Sequence, residues 1–144
     1  MPKTYNDLFG DVKKQVRQIS LEDLKAKLDR GEPVTVVDVR EKDEWRQGFI
    51  PGALHLPRGF LEMQAESRLA DKTAPIVTYC AGGVRSAFAA KVLQDLGYTN
   101  VLSANPGFTR WKDVGYAVET PANLTAAQIN RYSRHTLLPE VGAP

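Results

Sequence analysis

Several things are scarce in this chain, and each scarcity excludes a class of protein. A single cysteine, Cys80, permits no internal disulfide, so nothing points to an oxidising compartment. The two histidines stand 80 residues apart, and together with one cysteine they leave a structural zinc site without ligands. No run approaches the roughly 20 apolar residues of a membrane span, and "MPKTYNDLFGDVKK" lacks the apolar stretch of a signal peptide. Nineteen basic against seventeen acidic residues leave a net charge of +2, too little to attract nucleic acid by charge alone. What remains is a cytoplasmic protein with neither a membrane nor a nucleic-acid partner. Its 144 residues and 42% hydrophobic content suffice for one ordinary domain with a real core.

Periodicity divides the chain. Tyr5, Leu8, Phe9, Val12 and Val16 recur at helical spacing and predict an amphipathic helix over 5–16. Ser20 before "LEDLKAKLDRG" reads as an N-cap, with Gly31 as the stop. Four apolar runs read as strands: 33–40, the end of "IPGALHLP", 75–80 and "NVLSA". Between them lie a short helical turn at "EKDEWRQG", a loosely periodic segment over 60–69 and a helix over 84–96. In that last helix Val84, Phe88, Ala89, Val92 and Leu96 share a face. A further helix carries Trp111. Strands alternating with helices predict an α/β fold of three layers, a mostly parallel central sheet flanked by helices. Composition shifts near Pro121, giving an N-terminal helix (1–16), a main domain (17–120) and a tail (121–144).

The chemistry concentrates at "PIVTYCAGGVRSAFAA". Cys80 ends a strand, and Ala81, Gly82, Gly83, Val84 and Arg85 lead straight into a helix. In parallel α/β sheets, ligands gather at the carboxyl ends of strands. Paired glycines let a short loop turn its N–H groups inward, and the helix N-terminus adds partial positive charge there. That environment favours a thiolate, the nucleophilic form of cysteine. A lone cysteine is commonly core filler, but core filler requires neither paired glycines nor an arginine in a first helical turn. A cation there opposes the helix dipole unless an anion or carboxylate neutralises it.

These residues resemble a known family. "VVDVRE" (36–41), "GFIPGALHLP" (48–57), "YCAGGVRS" (79–86), "GYTNV" (97–101) and "GFTRW" (107–111) occur in the order found in the rhodanese-homology domain, a sulfurtransferase. The resemblance covers roughly 17–120. It implies a Cys80 persulfide cradled by the backbone N–H groups of Ala81 to Arg85, and no metal or organic cofactor. Asp38 and Arg40 correspond to the family's residues near the pocket. Asp38 is expected to support the loop or pair with Arg85, or else to serve as a turn aspartate after its strand. The implied reaction moves a sulfane sulfur from a small anionic donor such as thiosulfate to cyanide, a thiol or an acceptor protein. An alternative is a docking module that holds persulfide with little turnover.

Phosphatases and arsenate reductases share the fold. The phosphatase loop holds one more residue between cysteine and arginine than the four found here, so this cradle suits one sulfur rather than phosphate. Departures from the family pattern are the small neutral Ala81 and Gly82, where thiosulfate users carry basic residues, and Phe49, where histidine is usual. Phe49 is read as a packing change and His55 as a strand-face residue. The segment "NRYSRHTLLPEVG" (130–142) resembles the opening of ubiquitin-activating-type adenylyltransferases that serve sulfur carriers, which implies a sulfur-carrier protein or adenylyltransferase partner.

Overall fold

The computed structural model describes residues 3–121. Five short strands form one parallel sheet in the order β1-β5-β4-β2-β3: β1 (Arg17–Ile19), β2 (Thr35–Asp38), β3 (Leu54–His55), β4 (Ile76–Tyr79) and β5 (Val101–Ala104). Among the described residues, the helices are α1 (Tyr5–Gln15), α2 (Leu21–Asp29), α3 (Lys42–Gln47), α4 (Leu61–Arg68, preceded by a 3-10 turn), α5 (Val84–Asp95) and α6 (Phe108–Asp113).

Alternation along the strands sorts the core into two layers. Val37, Ile76 and Cys80 face one apolar cluster with Val12, Leu61, Ala65, Ala90 and Leu93 from α1, α4 and α5. Val36, Val77 and Tyr79 face the other, with Leu24, Trp45, Phe108 and Trp111 from α2, α3 and α6. Both faces of the sheet are therefore covered, the condition under which β-branched runs without alternating polar residues stay folded. The three-layer α/β architecture predicted above is the one observed. The strand β1 is additional: "RQI" is three residues long, buries only Ile19 and lies at the sheet edge, so it carries no apolar run to announce it.

The helix starts follow their caps. Thr4 and Asp7 form a reciprocal capping box on α1, and Ser20 Oγ accepts the Asp23 N–H on α2. Helix α5 corrects the predicted face. It buries Ser86, Ala87, Ala89, Ala90 and Leu93, whereas Phe88, Val92 and Leu96 are only partly covered and Val84 is exposed. Small residues dominate the buried side because α5 lies directly over β4 and β5, where larger side chains would hold it away. Among the described residues, no helix is long and apolar enough to cross a membrane. The expectation for 130–142 lies outside the described residues.

Candidate active site

Cys80 directly follows the central strand β4, at the end of the sheet where β2 also stops. Its neighbours arrive from three segments. Gly83 takes φ +119°, a left-handed conformation open to glycine at little cost, and so turns its N–H back toward the sulfur. The Gly83 N–H donates to Cys80 Sγ at 3.1 Å and the Ser86 N–H donates to it at 3.4 Å. Ser86 Oγ lies 3.6 Å from the sulfur and accepts a hydrogen bond from Ser103 Oγ at 3.0 Å, while Thr78 Oγ1 donates to the Ser86 carbonyl at 2.8 Å. The sulfur thus lies against the N-terminal end of α5, with two amide hydrogens and the positive end of the helix dipole directed at it.

The cradle differs in detail from the expected one. Of the expected loop donors, Gly83 reaches the sulfur. Among the described residues, Ala81, Gly82, Val84 and Arg85 make no hydrogen bond to it, and Ser86 supplies the second amide. Cys80 is also only 1% exposed and belongs to the core cluster on the α5 face. Core placement and an amide cradle therefore coexist, because the side chain points toward a helix terminus rather than into a purely aliphatic layer.

Backbone contacts with the next loop hold the cysteine loop. The Phe108 N–H donates to the Cys80 carbonyl at 2.8 Å and the Thr109 N–H to the Ala81 carbonyl at 3.2 Å. So close an approach requires glycine at 107, since a Cβ there would lie 2.2 Å from the Cys80 oxygen and 2.6 Å from the Ala81 oxygen. Gly107→Ala is expected to displace the loop, lowering stability by about 1–3 kcal/mol as overpacking does and reducing persulfide formation. Urea unfolding and mass spectrometry of the thiosulfate-treated variant check both effects.

Arg85 pairs with Glu44, a residue the motif did not indicate. Its Nη1 and Nη2 donate to Glu44 Oε1 and Oε2 at 2.7 and 3.0 Å, a bidentate bridge from α5 to α3. This carboxylate offsets the cation in the first turn of α5. The Arg85 guanidinium holds the Glu44 carboxyl down to about 2, whereas a free glutamate titrates near about 4.3. A lowered folded-state value means that the bridge contributes in full above about pH 4.3 and fades as pH falls toward 2. Wild type is thus expected to exceed Glu44→Gln in stability at neutral pH, with the difference narrowing below about pH 4.3. Denaturant titrations at several pH values measure it; a difference independent of pH refutes the assignment. The two side chains are 33% and 36% exposed, so water screens the bridge and keeps the difference small.

Asp38 does not pair with Arg85. It is fully buried and binds Arg40, which is 4% exposed: Arg40 Nε donates to both carboxylate oxygens at 3.1 Å, and Nη2 donates to Oδ2 at 2.8 Å. Asp38 Oδ1 also accepts the Arg40 N–H at 2.9 Å, so it is a turn aspartate as well. Its link to the loop runs through Tyr79, whose hydroxyl donates to Asp38 Oδ2 at 2.6 Å and accepts the Ile50 N–H at 3.1 Å. Burial, together with the Asp38 charge, pushes the Tyr79 phenol well above its ordinary range. The Arg40 guanidinium lies 4.2 Å from the centre of the Phe108 ring, which covers its planar face.

Phe49 is buried and stacks on Trp45 with ring centres 3.7 Å apart, and His55 stacks on the same indole at 4.7 Å. The His55 Nε2–H donates to the Arg40 carbonyl at 2.9 Å, and burial holds the imidazole below its usual range. Both rings thus lie in one aromatic stack with Trp45.

The Rhodanese-like domain profile matches residues 20–114. The chain is 34% identical over 96 residues to the Putative sulfur carrier protein YrkF of Bacillus subtilis, an alignment covering 67% of this chain and 51% of that one. It therefore spans about half the length of that relative. It is 33% identical over 99 residues to the Thiosulfate sulfurtransferase GlpE of Coxiella burnetii, covering 69% of this chain and 87% of the relative. Among solved structures, a Rhodopseudomonas palustris protein of unknown function, described as a possible tyrosine phosphatase, superposes with a TM-score of 0.74 at 31% identity. That likeness covers 83% of this chain and 99% of the other. With the matched region enclosing strands β2 to β5 and the β4–α5 cysteine loop, the chain belongs to the rhodanese-like domain family of sulfurtransferases.

Proposed function

We propose that this protein transfers sulfane sulfur through a persulfide on Cys80, with a small anion such as thiosulfate as donor. The observation that carries the reading is the Cys80 sulfur held at a strand end under two amide hydrogens, Gly83 N–H at 3.1 Å and Ser86 N–H at 3.4 Å. In the first displacement the Cys80 thiolate attacks the outer sulfur of thiosulfate. The S–S bond of the donor breaks, sulfite leaves with the bonding pair, and Cys80–S–S⁻ remains. In the second, cyanide or an acceptor thiolate attacks the outer sulfur, and the electron pair of the cleaved S–S bond returns to Cys80 as thiolate. No net oxidation occurs across the cycle and no proton must move at the sulfur, so His55 and Tyr79 need act as neither acid nor base. The preorganised amides stabilise anionic sulfur throughout, and the remaining loop amides are left for the outer atom.

A second reading keeps the persulfide but lets it turn over slowly with small molecules. The 1% exposure of Cys80 favours it, because a donor must part the loop to reach the sulfur, and one relative carries the name of a sulfur carrier. One experiment tests both. The full chain is exposed to thiosulfate, its intact mass is measured, and the peptide containing Cys80 is sequenced by mass spectrometry. One added sulfur on that peptide, with thiocyanate formed on adding cyanide, supports transfer; the adduct without thiocyanate supports the carrier. No adduct, or hydrolysis of p-nitrophenyl phosphate with thiosulfate ignored, refutes both.

A further inference from the structure

The cysteine loop carries one cation, Arg85, and the structure does not leave it free. Both of its terminal nitrogens donate to Glu44, at 2.7 and 3.0 Å. The carboxylate is in turn fixed by its own helix, because Glu44 Oε1 also accepts the Glu41 N–H at 2.9 Å. Glu44 therefore holds a set position on α3, and Arg85 reaches across from the start of α5 to meet it. Both side chains are partly exposed, so a donor arriving from solution meets them.

Helix α3 follows β2 and α5 follows β4. Those strands are neighbours, so the bridge crosses the carboxyl end of the sheet, where Cys80 sits. Glu44 above all, with Cys80 and Glu41 adding to it, holds the Arg85 guanidinium protonated more firmly than usual. Arg85 is thus within electrostatic range of the reacting sulfur. A free guanidinium there would attract an anionic donor, since its fork matches paired oxyanion oxygens. Glu44 already fills that fork and cancels its charge. Asp38 cancels Arg40, the other arginine of the motifs at this end, in the same way. Ala81, Gly82, Gly83 and Val84 bring no charge of their own. The loop therefore offers a donor no uncompensated cation.

Such a balance discriminates between donors that undergo the same displacement. Thiosulfate carries two negative charges, whereas an organic thiosulfonate, RSO₂–S⁻, carries one. In both, the Cys80 thiolate attacks the outer sulfur and the donor's S–S bond breaks. Sulfite or the sulfinate RSO₂⁻ leaves with the bonding pair, and Cys80–S–S⁻ remains. We propose, resting on the persulfide reading of Cys80, that Glu44 is a specificity-determining residue: by neutralising Arg85 it biases the site toward sulfur donors of single negative charge and against dianions such as thiosulfate.

The test uses the full chain, with sodium thiosulfate and sodium methanethiosulfonate as the two donors. Intact mass sampled over time gives a second-order rate constant of sulfur addition for each. Their ratio, thiosulfate over methanethiosulfonate, cancels any change in folding or in the nucleophile itself, and it should follow the net charge of the pair. Glu44→Gln, which uncovers the cation, should raise the ratio at least about fivefold, the scale of two unit charges 4 Å apart in water. Arg85→Gln, which uncovers the carboxylate, should lower it by a similar factor. The double variant Glu44→Gln/Arg85→Gln should return it close to the wild-type value. All these differences should shrink at about 1 M salt, where the screening length falls to about 3 Å. A bridge that only held α3 against α5 would slow both donors together and leave the ratio fixed. An unchanged ratio, or one that moves the same way in both single variants, overturns the proposal while the persulfide reading stands. No sulfur added to the Cys80 peptide by either donor overturns both.

Discussion

Cys80→Ser is expected to fold normally and to transfer no sulfur. Serine has nearly the shape of cysteine, and its hydroxyl can accept the Gly83 and Ser86 amide hydrogens that now reach the sulfur. A buried hydroxyl is costly only where it is left without hydrogen bonds, and here two amide hydrogens are available to it. Chemically the two side chains are far apart. A serine hydroxyl stays protonated at neutral pH without a base to activate it, and no basic side chain hydrogen-bonds at this position among the described residues. An oxygen nucleophile would also have to form an O–S linkage in place of the S–S bond that the cycle makes and breaks. Thiocyanate formation should therefore fall by at least ~10³-fold, as when a covalent nucleophile is removed, and the thiosulfate-dependent mass increase should vanish. Activity surviving in a folded Cys80→Ser protein would refute the persulfide assignment.

The largest stability effect is expected at Asp38→Ala. That change leaves the Arg40 guanidinium buried without its carboxylate and takes the acceptor from the Tyr79 hydroxyl, which otherwise bonds at 2.6 Å. Breaking a buried ion pair from one side typically costs about 3–5 kcal/mol, a large fraction of the ~5–15 kcal/mol that holds a domain folded. The interpretation has an internal check. Arg40→Met added to Asp38→Ala removes the stranded charge and fills part of its volume, so the double variant should regain stability over Asp38→Ala. Urea denaturation of both variants gives the coupling; a double variant less stable than Asp38→Ala alone would show that Arg40 acts mainly through the Gly48 carbonyl and the Phe108 ring.

The parts legible in the sequence were those whose cause is local. Ser20 announces α2 because a cap bonds three residues along its own chain. The strand–cysteine–glycine–helix order points to Gly83 as a donor to the sulfur, three residues along the same chain, whereas Ser86 lies one residue past the loop the motif marks. What stayed hidden depends on residues distant in sequence. Arg85 meets Glu44 across 41 residues, and Ser103 meets Ser86 across 17, so neither pair leaves a spacing that a motif records. Strand β1 is defined by its pairing with β5 rather than by its own three residues. Of the alternatives open to Asp38, the turn aspartate is observed and the pair with Arg85 is not, because a strand-end position does not reveal that the Arg40 side chain folds back onto it.

The order in which these contacts arise along the chain matters for synthesis. Cys80 emerges from the ribosome before β5, its strand's neighbour, and before the Phe108 and Thr109 amides that clasp its loop. Translation runs from the N-terminus at about 5–20 residues per second, so for a second or more the nascent cysteine loop lacks the two backbone bonds that will later hold it. The loop reaches its final geometry only when the segment around Gly107 docks against it.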